Sequence, residues 1–278
     1  MIKTHFLKNS LFYFIICLGA LVMLVPFYWL VATSLKTGGA ILKLPPQWFP
    51  NPITWENYAT AWSKVNFARY TFNSALIVVI DMVGVLLSCS MVAFGFAMFN
   101  FKFKKLIIMV MLATMMLPSQ VTSIPTYFIW KNFGALNSYF PLTVPSFLGG
   151  AFGIFLVHQH YKSLPRELYE AALIDGFSPW GVLWRIYFPL SKPVLSALGV
   201  FTFIGAWSNT YGPLLYLHDK KLYTLPLGLL YLNSAGSDSV HIPLIMAGAV
   251  IITLPVVIVF LFAQRHFVQG LASTGVKG

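Results

Sequence analysis

The chain has 278 residues, of which 58% are hydrophobic and 9% charged, against about 25% charged in an ordinary soluble domain. So much apolar surface cannot be covered in water, which excludes a soluble globular fold and makes a bilayer the solvent. The net charge of +11 sits at the ends of apolar runs and not on one polar face, so it marks membrane topology and excludes a nucleic-acid partner.

The first apolar run covers 11–35. At about 1.5 Å per residue it crosses a hydrocarbon core of about 30 Å, and Pro26 is placed to kink it. Lys3 and Lys8 precede it as in a signal peptide. The run is longer than an h-region of about 7–15 residues and lacks a small-residue cleavage site, so it reads as a retained span. Residues 36–71 form a loop in which Pro45, Pro46, Pro50 and Pro52 forbid a long helix. Trp48 and Trp55 suit the membrane–water interface, and a short helix is expected near 55–64 with Thr54 as its N-cap.

The second span is expected over 72–99 and holds Asp81, the one acidic residue in any span. The third, over 106–130, is entered from Lys102, Lys104 and Lys105, and its centre is polar and doubly kinked by Pro118 and Pro125. The fourth covers 140–158, with Gly149 and Gly153 as a small-x-x-x-small pair suited to packing. The fifth covers 194–217 and contains a breakable polar patch from Trp207 to Pro213. A loop with Asp219, Lys220, Lys221 and Asp238 leads to the sixth, over 242–263. Cys17 and Cys89 lie inside apolar runs, with neither disulfide nor metal spacing.

Six spans put both termini on one side. That side collects Lys3, Lys8, Lys102, Lys104, Lys105, Lys162, Arg166, Arg185, Lys192, Arg265 and Lys277. The other side has Lys36, Lys43, Lys64, Arg69, Lys131, Lys220 and Lys221. Eleven against seven predicts cytoplasmic termini, and with them a cytoplasmic segment at about 161–193.

That segment reads as two short helices. Ser163-Leu164-Pro165 is a helix start, and Glu167 and Glu170 lie in the N-terminal half, where the helix dipole favours anions. Asp175-Gly176 ends the helix, and Ser178-Pro179 restarts one as N-cap and first residue. Trp180, Leu183, Trp184 and Tyr187 fall at helical spacing on one face. From composition alone, the segment is either a connecting loop at the membrane surface or a docking element with small residues, Ala171 and Ala172, beside an acid.

Glu170-Ala171-Ala172, Gly176, Ile186 and Pro189 are spaced as in the EAA loop, and the chain thereby resembles the permease subunits of bacterial ABC importers. Asp175-Gly176 resembles the carbohydrate branch. Thr33-Ser34-Leu35-Lys36, Asn57-Tyr58, Asn73-Ser74, Leu117–Gln120, Thr224-Leu225-Pro226 and the tail from Gln264 extend the resemblance over nearly the whole chain. The nearest type is the maltose-permease-like second subunit of a sugar importer. Phe188 stands where the family usually has Leu, and Trp207-Ser208-Asn209 departs from the commoner Trp-Asn pair.

The resemblance implies an all-α, polytopic membrane protein. It would have six transmembrane helices in a type I ABC importer permease fold, one domain over 1–278, and a cytoplasmic coupling helix between spans 4 and 5. It implies that Glu170, Ala171, Ala172, Asp175, Gly176, Ile186 and Pro189 engage a cytoplasmic ATPase, with a tail contact through Gln269, Gly270 and Lys277. The implied partners are a second permease subunit, two ABC ATPase subunits, an extracytoplasmic solute-binding protein and a sugar, in a bacterial cell membrane.

The residues agree on one point independently: no G-x-x-x-x-G-K-[ST] is present to cradle a nucleotide. No catalytic or metal motif and no cofactor motif is found, so a non-enzymatic subunit is expected. Ser119, Gln120, Thr122, Ser123, Asn209 and Tyr211 are the substrate-pathway candidates, because broken polar backbone at membrane depth is tolerated where it lines a cavity or is buried in protein. Interhelical hydrogen bonding is the alternative for these residues, and a structural carboxylate the alternative for Asp81. No Lys or Arg lies mid-span, which favours a neutral solute over glycerol phosphate. A secondary transporter acting alone would call for more intramembrane charge than one Asp.

Overall fold

The computed structural model describes residues 2–41, 43–64, 66–234 and 242–275, with side chains described over 12–41, 43–64, 66–232 and 242–264. Every regular element among these is helical: α1 (Ile2–Ser34), α2 (Gly38–Ile41), α3 (Glu56–Lys64), α4 (Phe67–Met98), α5 (Lys104–Thr114), α6 (Ser119–Asn132) and α7 (Phe140–Thr143). A 3-10 turn (Val144–Leu148) leads into α8 (Ala151–Ser163), α9 (Glu167–Ile174) and α10 (Pro179–Val182). A π-helical turn (Leu183–Tyr187) then precedes α11 (Phe188–Leu190), α12 (Lys192–Trp207), α13 (Tyr211–Tyr216), α14 (Leu225–Ser234) and α15 (Ile242–Gly275).

Among the described residues, four stretches are long and apolar enough to cross a membrane, and up to six if each bent pair is one span. The third expected span is such a pair: α5 and α6 meet at 100°, because Pro118 is extended and ends the ladder. Pro125, by contrast, lies within α6, and Pro26 lies within an unbroken α1. The fifth expected span ends earlier than read, at Trp207, and α13 follows a break. Part of the expected loop after it is helix α14.

The chain divides into two units, Met1–Ala68 with Gly228–Leu254, and Arg69–Leu227 with Pro255–Gly278. In the first, α1 exposes its side chains from 12 to 28. Its C-terminal end is clamped by Asn57, whose Nδ2 donates to Ser34 O at 2.8 Å and Lys36 O at 2.9 Å. The Ser34 and Tyr58 hydroxyls hydrogen-bond at 2.6 Å. Lys36 is 2% exposed, with Nζ 4.1 Å from the Trp29 ring centroid. Burial lowers its ammonium pKa below the ordinary lysine value, and the ring face supplies part of the lost hydration. Thr54 is not a cap: its N–H donates to Leu35 O at 2.9 Å, and α3 starts after Trp55.

In the second unit, one face of α4 holds the 3-10 turn and α8. Ser146 Oγ donates to Asp81 Oδ1 at 2.6 Å, and Ser88 Oγ donates to Ser146 O at 2.9 Å. Between them a Cβ on Gly84 would sit 3.0 Å from Phe147 Cδ2. Residues 81, 84 and 88 share a helix face, so two hydrogen bonds and one missing side chain set this approach. Asp81 thus has the structural partner that its alternative reading required. Lower down, a Cβ on Gly153 would meet Cys89 Sγ at 2.7 Å and Leu198 Cδ1 at 3.2 Å. Elsewhere in the unit, Asn73 Nδ2 donates to Lys221 O at 3.0 Å and Tyr223 O at 2.9 Å, while Ser74 Oγ accepts from Leu225 N at 2.9 Å.

Gly153→Ala is therefore expected to destabilise the detergent-purified protein by about 1–3 kcal/mol, the range for overpacking. Adding Cys89→Ala should recover most of that loss in thermal unfolding. Additive effects would show that the α4–α8 approach does not depend on this contact.

Candidate functional site

The segment after α8 is the most elaborately terminated part of the chain. Leu164 is extended (ψ 143°), as a residue before proline must be, and this stops α8. Ser163, read from sequence as a helix start, belongs to the end of α8 and donates Oγ to His160 O at 2.7 Å. α9 begins after Arg166 and carries Glu167 and Glu170 in its first turn, where they complement the helix dipole.

At its other end the N–H of Gly176 bonds to Leu173 O at 3.1 Å and that of Phe177 to Ala172 O at 3.0 Å. This pair is a Schellman motif, and it requires the left-handed φ of +84° at Gly176. Ser178 then caps α10 by accepting from Gly181 N at 3.2 Å. Pro189 cannot donate to the ladder, and the turn before it widens to π. The two-helix unit expected from the caps is present, with its second helix split by that turn.

Two faces result. Inward, Tyr169 and Ala172 of α9 and Val182, Leu183 and Tyr187 beyond it are buried. They pack against Phe94 near the end of α4, whose ring centroid lies 6.0 Å from Tyr169, 5.3 Å from Tyr187 and 6.2 Å from Tyr161. Tyr161 and Tyr187 are 5.4 Å apart, edge to face, a favoured aromatic geometry. Outward, Ala171, Leu173 and Ile174 are exposed, Ile174 at 87%. Trp180, expected to share a face with Leu183 and Tyr187, is 60% exposed instead. Leu183 and Tyr187 keep a common buried face, while Trp180, in α10 before the π turn, lies at its edge with its ring centroid 5.8 Å from that of Trp184.

The sequence-derived coupling residues therefore divide. Glu170, Ala171, Asp175, Gly176 and Pro189 are exposed, Ile186 is half-buried, and Ala172 is buried against the core. Glu170 Oε1 accepts from Arg166 Nε at 3.2 Å, and both side chains are well exposed. Beside them is a pocket of about 410 Å³ whose walls include Phe177, Trp180, Trp184 and Arg185. The Arg185 guanidinium lies 5.6 Å from the Phe177 ring centroid. Lys277 lies outside the described residues, as does the side chain of Gln269, and of Gly270 only the helical backbone is described.

The pathway candidates divide too. Ser119, Gln120 and Thr122 are exposed. Thr122 Oγ1 donates to Ser119 O at 3.0 Å, so its hydroxyl is engaged by its own helix. Tyr211 and Ser123, remote in sequence, are joined by a hydrogen bond from the phenol to Ser123 Oγ at 2.9 Å. Asn209 Oδ1 accepts from Gly212 N at 3.0 Å, a local turn that satisfies the backbone at the break. Among the described residues no group of three or more His, Cys, Asp or Glu side chains is placed to hold a metal.

Sequence reasoning missed the partners that place these motifs. Phe94 and Tyr161 sit in apolar runs without local signature. Arg166 is one more charge in a polar segment until its bond to Glu170 is seen.

Residues 84–273 match the family model described as binding-protein-dependent transport system inner membrane component. The chain is 32% identical over 265 residues to the diacetylchitobiose uptake system permease protein NgcG of Streptomyces coelicolor, covering 94% of this chain and 86% of that protein. It is 30% identical over 281 residues to the sn-glycerol-3-phosphate transport system permease protein UgpE of Brucella abortus, covering 99% of each. Its fold matches a chain in the crystal structure of a bacterial ABC transporter involved in import of the acidic polysaccharide alginate, with a TM-score of 0.81 at 21% identity, over 94% of this chain and 96% of that one.

A Cβ on Gly176 would meet nothing within 4 Å, so substitution there tests backbone strain alone. Gly176→Val is expected to cost about 1–2 kcal/mol, and Gly176→Asn less, because Asn visits the left-handed region more readily. Amide exchange across 167–178 should rise in that order. Equal exchange in both variants would remove the Schellman turn as the element that fixes α9.

Proposed function

The chain belongs to the family of binding-protein-dependent transport system inner membrane components, a multi-pass membrane family of sugar ABC importer permeases. From that premise we propose that it is one of two permease subunits of an ATP-driven importer and forms half of the pathway for a sugar or oligosaccharide. The whole chain acts as one permease subunit, with both termini and the segment 161–193 in the cytoplasm.

The observation that carries this reading is the two-faced coupling segment. α9 is terminated at both ends and fixed to α4 and α8 by aromatic packing, yet it leaves Ile174, Leu173 and Ala171 uncovered. An apolar surface of that kind on a cytoplasmic loop calls for a protein partner. The chain has no P-loop of its own, so the partner is a separate ATPase subunit, present as a pair. Ala171 lets its surface come close, Glu170 and Asp175 offer charge to its basic side chains, and Ile186 and Pro189 support the second half of the segment. A rigid α9 passes the ATPase movement to α4 and α8, and through them to the spans. The solute-binding protein delivers cargo on the opposite side, and the tail through Gln269, Gly270 and Lys277 adds a second ATPase contact.

Within the spans, the bonded pair Ser123 and Tyr211 is the proposed centre of the solute path, with Ser119, Gln120 and Thr122 exposed on the same helix as Ser123. Glycerol phosphate is the second reading, favoured by the similarity to UgpE over nearly the full length. The absence of mid-span Lys and Arg weighs against an anion and for a neutral sugar.

Glu170→Ala tests coupling separately from folding. The Arg166–Glu170 pair is exposed, and such pairs contribute at most about 1 kcal/mol, so the thermal unfolding midpoint should barely move. Solute-stimulated ATPase activity and uptake by the reconstituted complex should fall together. Unchanged uptake and stimulation would overturn the coupling role of this residue.

A further inference from the structure

A cavity of about 340 Å³ lies between α4, α12 and α15 and shares no lining residue with the exposed face of α9 or with the Ser123–Tyr211 pair. Its floor is one face of α12, where Leu195, Ser196 and Gly199 follow Lys192 at spacings of three, four and seven residues. Met82 and Leu86, four apart on α4, form one wall, and Val259 of α15 contributes to the other. Phe188 lies at the end beside Lys192.

The slot follows the helix axis for about 10 Å, from Lys192 to Gly199 at 1.5 Å per residue. At its deep end Met82 Cε lies 3.5 Å from where a Gly199 Cβ would be. Nearly all of its lining is apolar; its two polar side chains are Lys192 at one end and Ser196 about one turn further along α12. Lys192 is exposed, and the one ion pair among the described residues lies elsewhere, between Arg166 and Glu170.

We propose that this slot binds an anionic membrane phospholipid, one acyl chain lying along α12 and the headgroup phosphate on Lys192. Hydrocarbon is the solvent around α12, and a chain end fits an apolar trough that runs parallel to the helix. A cation at the membrane-surface end selects the headgroup, since basic pockets between spans bind anionic lipid heads. The site has a consequence for coupling geometry. Lys192 opens α12 at the end of the coupling segment, so the lipid sits where that segment enters the bilayer. The inference uses only the membrane embedding of α12 and stands apart from the ATPase reading.

The test is native mass spectrometry of the full-length chain, with whatever subunits copurify, titrated with phosphatidylglycerol and with phosphatidylcholine. K192Q should weaken retention of phosphatidylglycerol about fivefold, the equivalent of about 1 kcal/mol per lysine near a membrane surface, and leave phosphatidylcholine unchanged. K192R should restore it. Gly199→Leu, which fills the deep end, should reduce retention of both lipids. A photoreactive side chain at Val259 should label lipid. Equal phosphatidylglycerol retention by K192Q and the parent protein, or labelling of another subunit from position 259, would overturn the proposal.

Discussion

The Phe94 ring is the contact on which the functional segment depends. It stands near the end of α4 and receives Tyr161 from α8, Tyr169 from α9 and Tyr187 from the π turn. Each edge-to-face pair contributes about 0.5–1.5 kcal/mol beyond the burial of its area. Aromatic rings also have few rotatable bonds, so packing them fixes orientation at low entropic cost. α9 has only eight residues, too few to hold a helix in isolation. Its end caps decide where it starts and stops, and the ring cluster decides which way it faces. The exposure of Ile174 follows from the burial of Tyr169 and Ala172 on the opposite side.

The same logic of short polar tethers recurs elsewhere. Asn57 gathers the end of α1, and Asn73 and Ser74 gather the backbone of residues 221–225. These are the residues through which the sequence resembles sugar permeases. Their physical role is to satisfy carbonyl and N–H groups where helices end, which costs least when an amide side chain does it.

What could be read from the chain without its structure was local. Gly176 and Ser178-Pro179 announce a turn and a restart because caps act within four residues. Apolar runs announce spans because the bilayer thickness sets their length. The departures from expectation have separate causes. Trp180 falls at helical spacing from Leu183 and Tyr187, but spacing does not fix how wide the buried stripe is, and Trp180 lies at its edge against Trp184. Ser163 looked like a start, because a serine before a proline does not say which of two adjacent helices owns it. Asn209, a pathway candidate, accepts a local bond from Gly212 N at Oδ1, a turn that the sequence does not announce. Phe94 could not be found at all: its partners lie far along the chain and its neighbours in sequence are as apolar as it is.

Amide hydrogen exchange in Phe94→Ala and Phe94→Leu addresses the central claim most directly, that ring packing at Phe94 fixes α9. The account predicts faster exchange over 167–190 in Phe94→Ala, and an intermediate effect in Phe94→Leu, which keeps bulk but loses the ring geometry. The rest of α4 and α12 should remain protected in both. Unchanged exchange over 167–190, or a rise spread evenly over the whole chain, would contradict it.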